Sequence, residues 1–332
     1  MRIAEKLCAL FFIGNRPFRR ASASLEINAL QSGIFHCPGN RFIALPVSRA
    51  LPRSGRRESR ELRIFAPVSE TTLTLENLTT GYGGDEARCV TKCFSTSLSA
   101  GDFVCLLGVN GSGKSTLLRT IAGLQNPISG SVTVGGKGAG AIPPRELARL
   151  VSVVLTDRQV FGTQMTVYEL VSLGRIPYTG FMGRLSAEDR KEIDKALEQT
   201  GMDGMARRRI STLSDGERQK AMIARALAQQ TPVMLLDEPT AFLDFPSKAA
   251  VFGMLRGIAR NGRKTIVVST HDLGTAFHSA STLWLLKRGE CPECGSPHSL
   301  AAQGSLDVFF NGCDANFNRD SLEYTINFET EK

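Results

Sequence analysis

The stretch Phe103-Val-Cys-Leu-Leu107 runs without a break into Gly108-Val-Asn-Gly-Ser-Gly-Lys-Ser-Thr116. Five consecutive apolar residues cannot alternate between core and water, so this strand must be covered on both faces, as in a parallel sheet flanked by helices. Residues 108–115 then carry the spacing G-x-x-x-x-G-K-[S/T], leading into a helical pattern from Ser115 to Leu124. Glycines at 108, 111 and 113 let the backbone wrap tightly. Backbone N–H groups wrapped at a helix N-terminus are an economical way to hold a densely charged anion such as a triphosphate. Gly108, Val109, Asn110, Gly111, Ser112, Gly113, Lys114, Ser115 and Thr116 are therefore the nucleotide-binding candidates. Lys114 brings a compact positive charge to the β and γ phosphates, and the Ser115 hydroxyl is placed to ligate Mg2+.

The rest of the chain fits around that unit. Thr71 to Leu78 alternates as a half-buried strand, Gly81-Tyr-Gly-Gly84 breaks it, and Cys93 to Leu98 alternates again. Further continuous apolar runs lie at Leu150 to Leu155, Val233 to Leu236 and Thr265 to Ser269. Strands of this kind with helices between them make an α/β protein. Between residues 163 and 206 the strands stop. Thr166 to Leu173 reads as a helix, and Ser186-Ala-Glu-Asp189 caps another ahead of Ile193 and Leu197, so a helical insertion is expected there. The tail, Ser299 to Lys332, reads as a short helix followed by a strand from Ser321 to Phe328.

Charge narrows the function. The net +8 looks suited to nucleic acid, yet residues 1–70 hold 12 Lys/Arg against 5 Asp/Glu, and residues 71–332 hold 28 against 27. A phosphate-backbone footprint belongs on the folded domain, which is nearly neutral here. Residues 1–70 show no sustained period and are expected to be a disordered or non-native extension; a targeting segment and a basic arm are the competing readings. No apolar run approaches the ~20 residues of a membrane-crossing helix. Eight cysteines are too few for a disulfide scaffold in 332 residues. Cys105 reads as a small buried hydrophobe. Cys291-Pro-Glu-Cys294, with His298 and Cys313 beyond it, has zinc-knuckle spacing but lacks a second pair, and a turn after a strand is the preferred reading.

The run Val233 to Leu236 ends in Asp237-Glu238. Ligands of open α/β sheets bind at the carboxyl ends of strands, so this pair should face the same crevice as the glycine-rich loop. Asp237 would hold Mg2+ through its water shell, and Glu238 would polarise the water that attacks the γ phosphate.

In this order and spacing, the elements between Thr71 and about Gly289 resemble the ATP-binding subunits of ABC transporters. Leu213-Ser-Asp-Gly-Glu-Arg-Gln219, opening a helix over Lys220 to Gln229, resembles the family's signature stretch; Asp237-Glu238-Pro-Thr240 comes after it, then Ala241-Phe-Leu-Asp244 in the D-loop position. Ser269-Thr-His271-Asp resembles the switch-histidine segment, and Tyr82 stands where the family stacks an aromatic ring on adenine. The resemblance implies a P-loop NTPase core of RecA-like type over about residues 71–290, with an antiparallel β subdomain and a helical subdomain near 163–230, and beyond it a helix and strand tail at 291–332. It implies ATP hydrolysis with Mg2+, Glu238 as base, and Lys114 and His271 on the γ phosphate. It also implies a head-to-tail homodimer in which Ser214, Gly216 and Asp244 complete the partner's nucleotide site.

Two departures stand out. Asp215 and Glu217 replace the common Gly and Gln of the signature, and Asp157 stands where the family has a Gln that reaches Mg2+ and the permease. A carboxylate ligates Mg2+ as an amide does, at the cost of an added negative charge. Gly174-Arg-Ile-Pro177-Tyr178, after Thr166-Val-Tyr-Glu-Leu170, resembles the ATPases of importers for iron siderophores, haem and cobalamin. That implies an integral-membrane permease docking near Gly174 to Pro177, a periplasmic or lipoprotein binding protein acting indirectly, and a peripheral position on the cytoplasmic face of the cell membrane. The alternative is a soluble ABC-type ATPase acting on nucleic acid or ribosomes; a P-loop kinase has no need of Leu213 to Gln219.

Overall fold

In the computed structural model, which describes residues 71–83, 88–155, 164–241, 243–310 and 315–326, the alternation ahead of the loop becomes two long antiparallel strands, β1 (Thr71–Tyr82) and β2 (Arg88–Ser99). β1 runs on through Gly81, past the expected break, because register shifts along the pair absorb the irregular residues. All the described residues fall within the unit Ile64–Lys332; residues 1–70 and Asp157 lie outside them. The chain then makes β3 (Phe103–Leu107), α1 (Lys114–Ile121), β4 (Ser129–Val134), β5 (Lys137–Gly138), α2 (Pro144–Leu147) and β6 (Val151–Val154). Three helices come next, α3 (Val167–Ser172), α4 (Ala187–Thr200) and α5 (Asp215–Ala228). After them come β7 (Val233–Asp237), α6 (Phe245–Gly262), β8 (Thr265–Ser269), α7 (Leu273–Ser279), β9 (Thr282–Leu285), β10 (Glu293–Gly295) and α8 (Pro297–Ala302). A hairpin of β11 (Ala315–Asn318) and β12 (Glu323–Ile326) closes the described chain.

The strands form a four-stranded antiparallel sheet ordered β2-β1-β4-β5 and a six-stranded sheet ordered β10-β9-β3-β8-β7-β6. From β9 to β6 every neighbour is parallel, and only β10, which falls inside the expected tail, joins antiparallel. β3, β7 and β8 are buried at every position, as the apolar runs that fill β3 and most of β7 and β8 require. Their side chains divide between two cores. Phe103, Cys105, Leu107, Met234 and Leu236 meet the helical side, whereas Val104, Leu106, Val233 and Leu235 meet α1 and the antiparallel sheet. Burial pushes the Cys105 thiol up, which keeps it a neutral core residue.

The helical segment is built by its caps. Thr166 and Ser186 each close a capping box, with Glu169 and Asp189 reaching back to the cap amide. Gly174 lies against α5 so closely that a Cβ there would stand 2.2 Å from the Arg225 carbonyl oxygen. Beside it Arg175 is buried: Nε donates to Asp189 Oδ1 at 2.8 Å, Nη1 donates to the Ala228 carbonyl and to Gln230 Oε1 at 2.8 Å each, and the guanidinium stacks 4.0 Å from the Tyr178 ring. Among the described residues no helix is long and apolar enough to cross a membrane. Cys294 sits on β10 opposite Trp284, and Cys291 Sγ lies 3.5 Å from the Cys93 carbonyl oxygen.

Candidate active site

The loop after β3 enters α1 through Gly113, whose φ of 106° belongs to the left-handed region; a Cβ here would lie 1.9 Å from Val90 Cγ1. Among the described residues nothing caps α1: no side chain accepts from its first turn, and no acidic residue lies there. Helix starts leave about four N–H groups without partners, which is the chemistry an anion needs. Ser112 Oγ is buried with no partner among the described residues, a second polar group awaiting an acceptor. Lys114, buried, donates to the Gly108 carbonyl at 2.8 Å and stands 3.7 Å from Glu238 Oε1. Donors without acceptors around one ammonium fit a polyphosphate.

The strand ends supply the acids. β7 and β8 pair with Asp237 opposite Ser269, so the two side chains emerge together at the carboxyl end of the sheet. Ser269 Oγ donates to Asp237 Oδ1 at 2.7 Å and accepts from the Glu238 amide at 2.9 Å. Glu238 carries φ 44°, unusual for a residue with a Cβ, and its carboxylate lies 3.6 Å from His271 Nδ1. Glu238 is thus held between Lys114 and His271. Ser115 lies in the first turn of α1 and Asp237 is buried at the end of β7, each an oxygen donor of the kind a hard divalent cation takes.

Tyr82, at the end of β1, is exposed, and its hydroxyl lies 3.1 Å from Thr116 Oγ1 on α1. A second group forms away from the loop. Ser214 caps α5, accepting from the Glu217 amide at 3.3 Å, while its own amide donates to Glu217 Oε2 at 2.8 Å. The helix expected from Lys220 therefore begins at Asp215, because this capping box recruits one more turn. The bond from the Ser214 amide is the main reason the Glu217 carboxyl is held below the usual range. Arg208 lies 3.5 Å from Glu217, and Arg218 Nη1 lies 2.9 Å from Asp215. The two carboxylates that depart from the common signature therefore each have a cation. Gly216 faces Leu243 and Ser247, and Asp244 caps α6 by accepting from the Ser247 amide at 3.1 Å.

Comparison with known proteins bears on this geometry. The ABC transporter family model matches residues 91–241. An uncharacterised ABC transporter ATP-binding protein of Methanocaldococcus jannaschii is 37% identical over 245 residues, covering 74% of this chain and 83% of that protein. The chain belongs to the ABC transporter ATP-binding family. As an ABC ATPase it is also similar to the ferric enterobactin transport ATP-binding protein FepC of Escherichia coli, at 36% identity over 71% of this chain and 85% of that one. The iron(3+)-hydroxamate import ATP-binding protein FhuC of Bacillus subtilis is 37% identical, over 66% and 80%. Among solved structures, a dimeric ATP-binding cassette in a post-hydrolysis state, bound to ADP and Pi, aligns with TM-score 0.58 and 29% identity, covering 68% of this chain and 98% of that one.

Within the stretch Gly174 to Pro177, where this ABC ATPase was expected to meet a permease, Arg175 is buried in the ion pair with Asp189 and Gly174 is pinned on α5. The exposed apolar residues of this segment are Ile176, Phe181 and Met182. Ser269 is the residue that motif reading passed over. Its signal was present as a hydroxyl following Ile-Val-Val at the end of a buried strand, two positions before His271.

Proposed function

We propose that this ABC ATPase powers import of an iron-siderophore, haem or cobalamin-type compound through a membrane permease. The observation that carries the ATPase mechanism is Glu238 held between Lys114 and His271 at the mouth of an uncapped phosphate-binding helix. ATP arriving in the loop gives the N–H donors of α1 and Ser112 Oγ their acceptors and draws the Lys114 ammonium off the Gly108 carbonyl. Tyr82 stacks on the adenine. Mg2+, when bound, neutralises the β and γ phosphates; Ser115 and Asp237 would hold it, and Asp157 is the third candidate ligand. Glu238 orients the attacking water and accepts its proton, and His271 donates a hydrogen bond to the γ phosphate.

Two copies close head to tail, so that the α5 N-terminus of one, with Ser214 and Gly216, meets the phosphate held by Lys114 of the other, and Asp244 lines the same seam. That a similar ATP-binding cassette bound to ADP and Pi is dimeric supports the pairing of two copies. Hydrolysis removes the bridge, and the reopening moves the permease. The relatives named for ferric enterobactin and iron-hydroxamate transport support the importer class. The protein then works peripherally at the cytoplasmic face of the cell membrane, with a periplasmic or lipoprotein binding protein delivering cargo to the permease. We place the docking contact on Ile176, Phe181 and Met182. Action on nucleic acid or ribosomes has less support, given the net +1 of residues 71–332. The test is co-purification with the cognate permease and ATP-dependent uptake of a ferric siderophore by the reconstituted pair. Recovery of the ATPase free of permease from membranes that contain it would overturn the importer reading.

A further inference from the structure

We propose that Ser269 is a positioning residue for ATP hydrolysis: its hydroxyl ties the Asp237 carboxylate to the Glu238 backbone, so that the metal-holding acid and the base are set as one unit. The proposal rests on the roles given above to Asp237 and Glu238.

Ser269 ends β8, a strand buried at all five positions and otherwise Thr-Ile-Val-Val. A hydroxyl taken out of water is unfavourable unless it is bonded, so its presence calls for partners. It has two, and they differ in kind. The O–H donates to Asp237 Oδ1 at 2.7 Å, a charge-assisted bond to a buried carboxylate. The same oxygen accepts from the Glu238 amide at 2.9 Å, and that amide also reaches the Ser269 carbonyl at 3.2 Å.

The second partner explains the backbone. Glu238 sits at φ 44°, which a residue with a Cβ adopts only when its surroundings hold it. Two acceptors on Ser269 converge on one amide and fix that conformation, which in turn sends the Glu238 side chain toward Lys114 and His271. The parallel register explains why one residue can serve both: Asp237 and Ser269 are direct neighbours, and Glu238 is the next residue after β7. Loss of the hydroxyl leaves the Glu238 amide with the carbonyl alone and removes a donor from Asp237. The phosphate loop, which makes none of these bonds, is untouched.

Ser269→Thr and Ser269→Val form the test, since they match in shape and differ by the hydroxyl. In the purified full chain, Ser269→Val should lower kcat roughly tenfold to hundredfold, the range for one buried charge-assisted hydrogen bond. It should also raise the Mg2+ concentration at half-saturation of fluorescent-nucleotide binding by about tenfold, leaving metal-free nucleotide affinity unchanged. Ser269→Thr should stay within about threefold of wild type in each measurement. Ser269→Ala, which removes the hydroxyl without adding bulk, should reproduce the Mg2+ shift and covers the case where the larger residues do not fold. Equal behaviour of Thr and Val, or an Ala variant with wild-type Mg2+ dependence, overturns the inference. A wild-type protein that does not hydrolyse ATP overturns the parent reading instead, so the two failures are distinguishable.

Discussion

The buried Arg175 side chain bridges α4 through Asp189, the end of α5 through the Ala228 carbonyl, and Gln230 beyond it, all at 2.8 Å. Arg175→Ala leaves the Asp189 carboxylate and the Ala228 carbonyl without this donor. Removing one partner of a buried ion pair costs about 3–5 kcal/mol. Asp189 keeps the Ser186 amide at 2.9 Å and the Ser186 hydroxyl at 2.7 Å, so we take the lower end, about 3 kcal/mol. At roughly 2–4 °C per kcal/mol for a domain of this size, the melting temperature should fall by about 6–12 °C. Burial pushes the Asp189 carboxyl up, but the Ser186 bonds and Arg175 outweigh it and hold it below its ordinary value. That stabilisation is present above the usual carboxylate pKa and is lost as pH falls through the lower folded value, so the penalty of Arg175→Ala should shrink in acid. Thermal unfolding followed by circular dichroism at two pH values measures both effects. A variant that melts within about 1 °C of wild type at neutral pH while losing its permease would refute the buried bridge and place Arg175 on the docking surface.

Other outcomes come from the same geometry. Phe181→Ala with Met182→Ala should leave the melting temperature within about 2 °C while abolishing co-purification with the permease, because both side chains are exposed. Lys114→Ala should weaken ATP binding roughly tenfold to hundredfold by equilibrium titration. Gly113→Ala should be at least as damaging, and Val90→Ala should not rescue it, since relief of the contact leaves φ at 106°. Burial pushes Lys264 down to about 8, with Lys195 adding to the shift. The unfolded chain then binds more protons than the folded one between that value and the ordinary lysine range. Stability should therefore rise with pH across this window, and Lys264→Met should flatten the rise in denaturant titrations.

Much of this was legible in the chain itself. Residues 103–116 dictate a buried strand, an amide-lined turn and a helix because no other local structure suits five apolar residues, three glycines and a lysine in that order. The capping box at Ser186 was readable for the same local reason, and Thr166 with Glu169 repeats it one helix earlier. Less legible was anything set by a neighbour distant in sequence. β9 is only four residues long, and β10 owes its existence to pairing with it. β11 escapes a pattern reading because the alternation Ala-Asn-Phe-Asn over Ala315–Asn318 is only four residues long, and the strand is held by β12 and by Phe317 stacking on Phe310. Gly-Arg at 174–175 looks like a recognition motif, and only the packing of Gly174 on α5 and the Asp189 partner reveal it as internal support. Ser269 needed the β7–β8 register, which no single-strand pattern contains.

Lys114 of one copy and Ser214 of another clasp the same ATP in the proposed dimer. Light scattering on size-exclusion chromatography of the Glu238→Gln protein with saturating ATP and Mg2+ tests it directly. A dimer is expected that reverts to monomer when ATP is replaced by ADP and that fails to form with Ser214→Arg. A monomer under saturating ATP would contradict it.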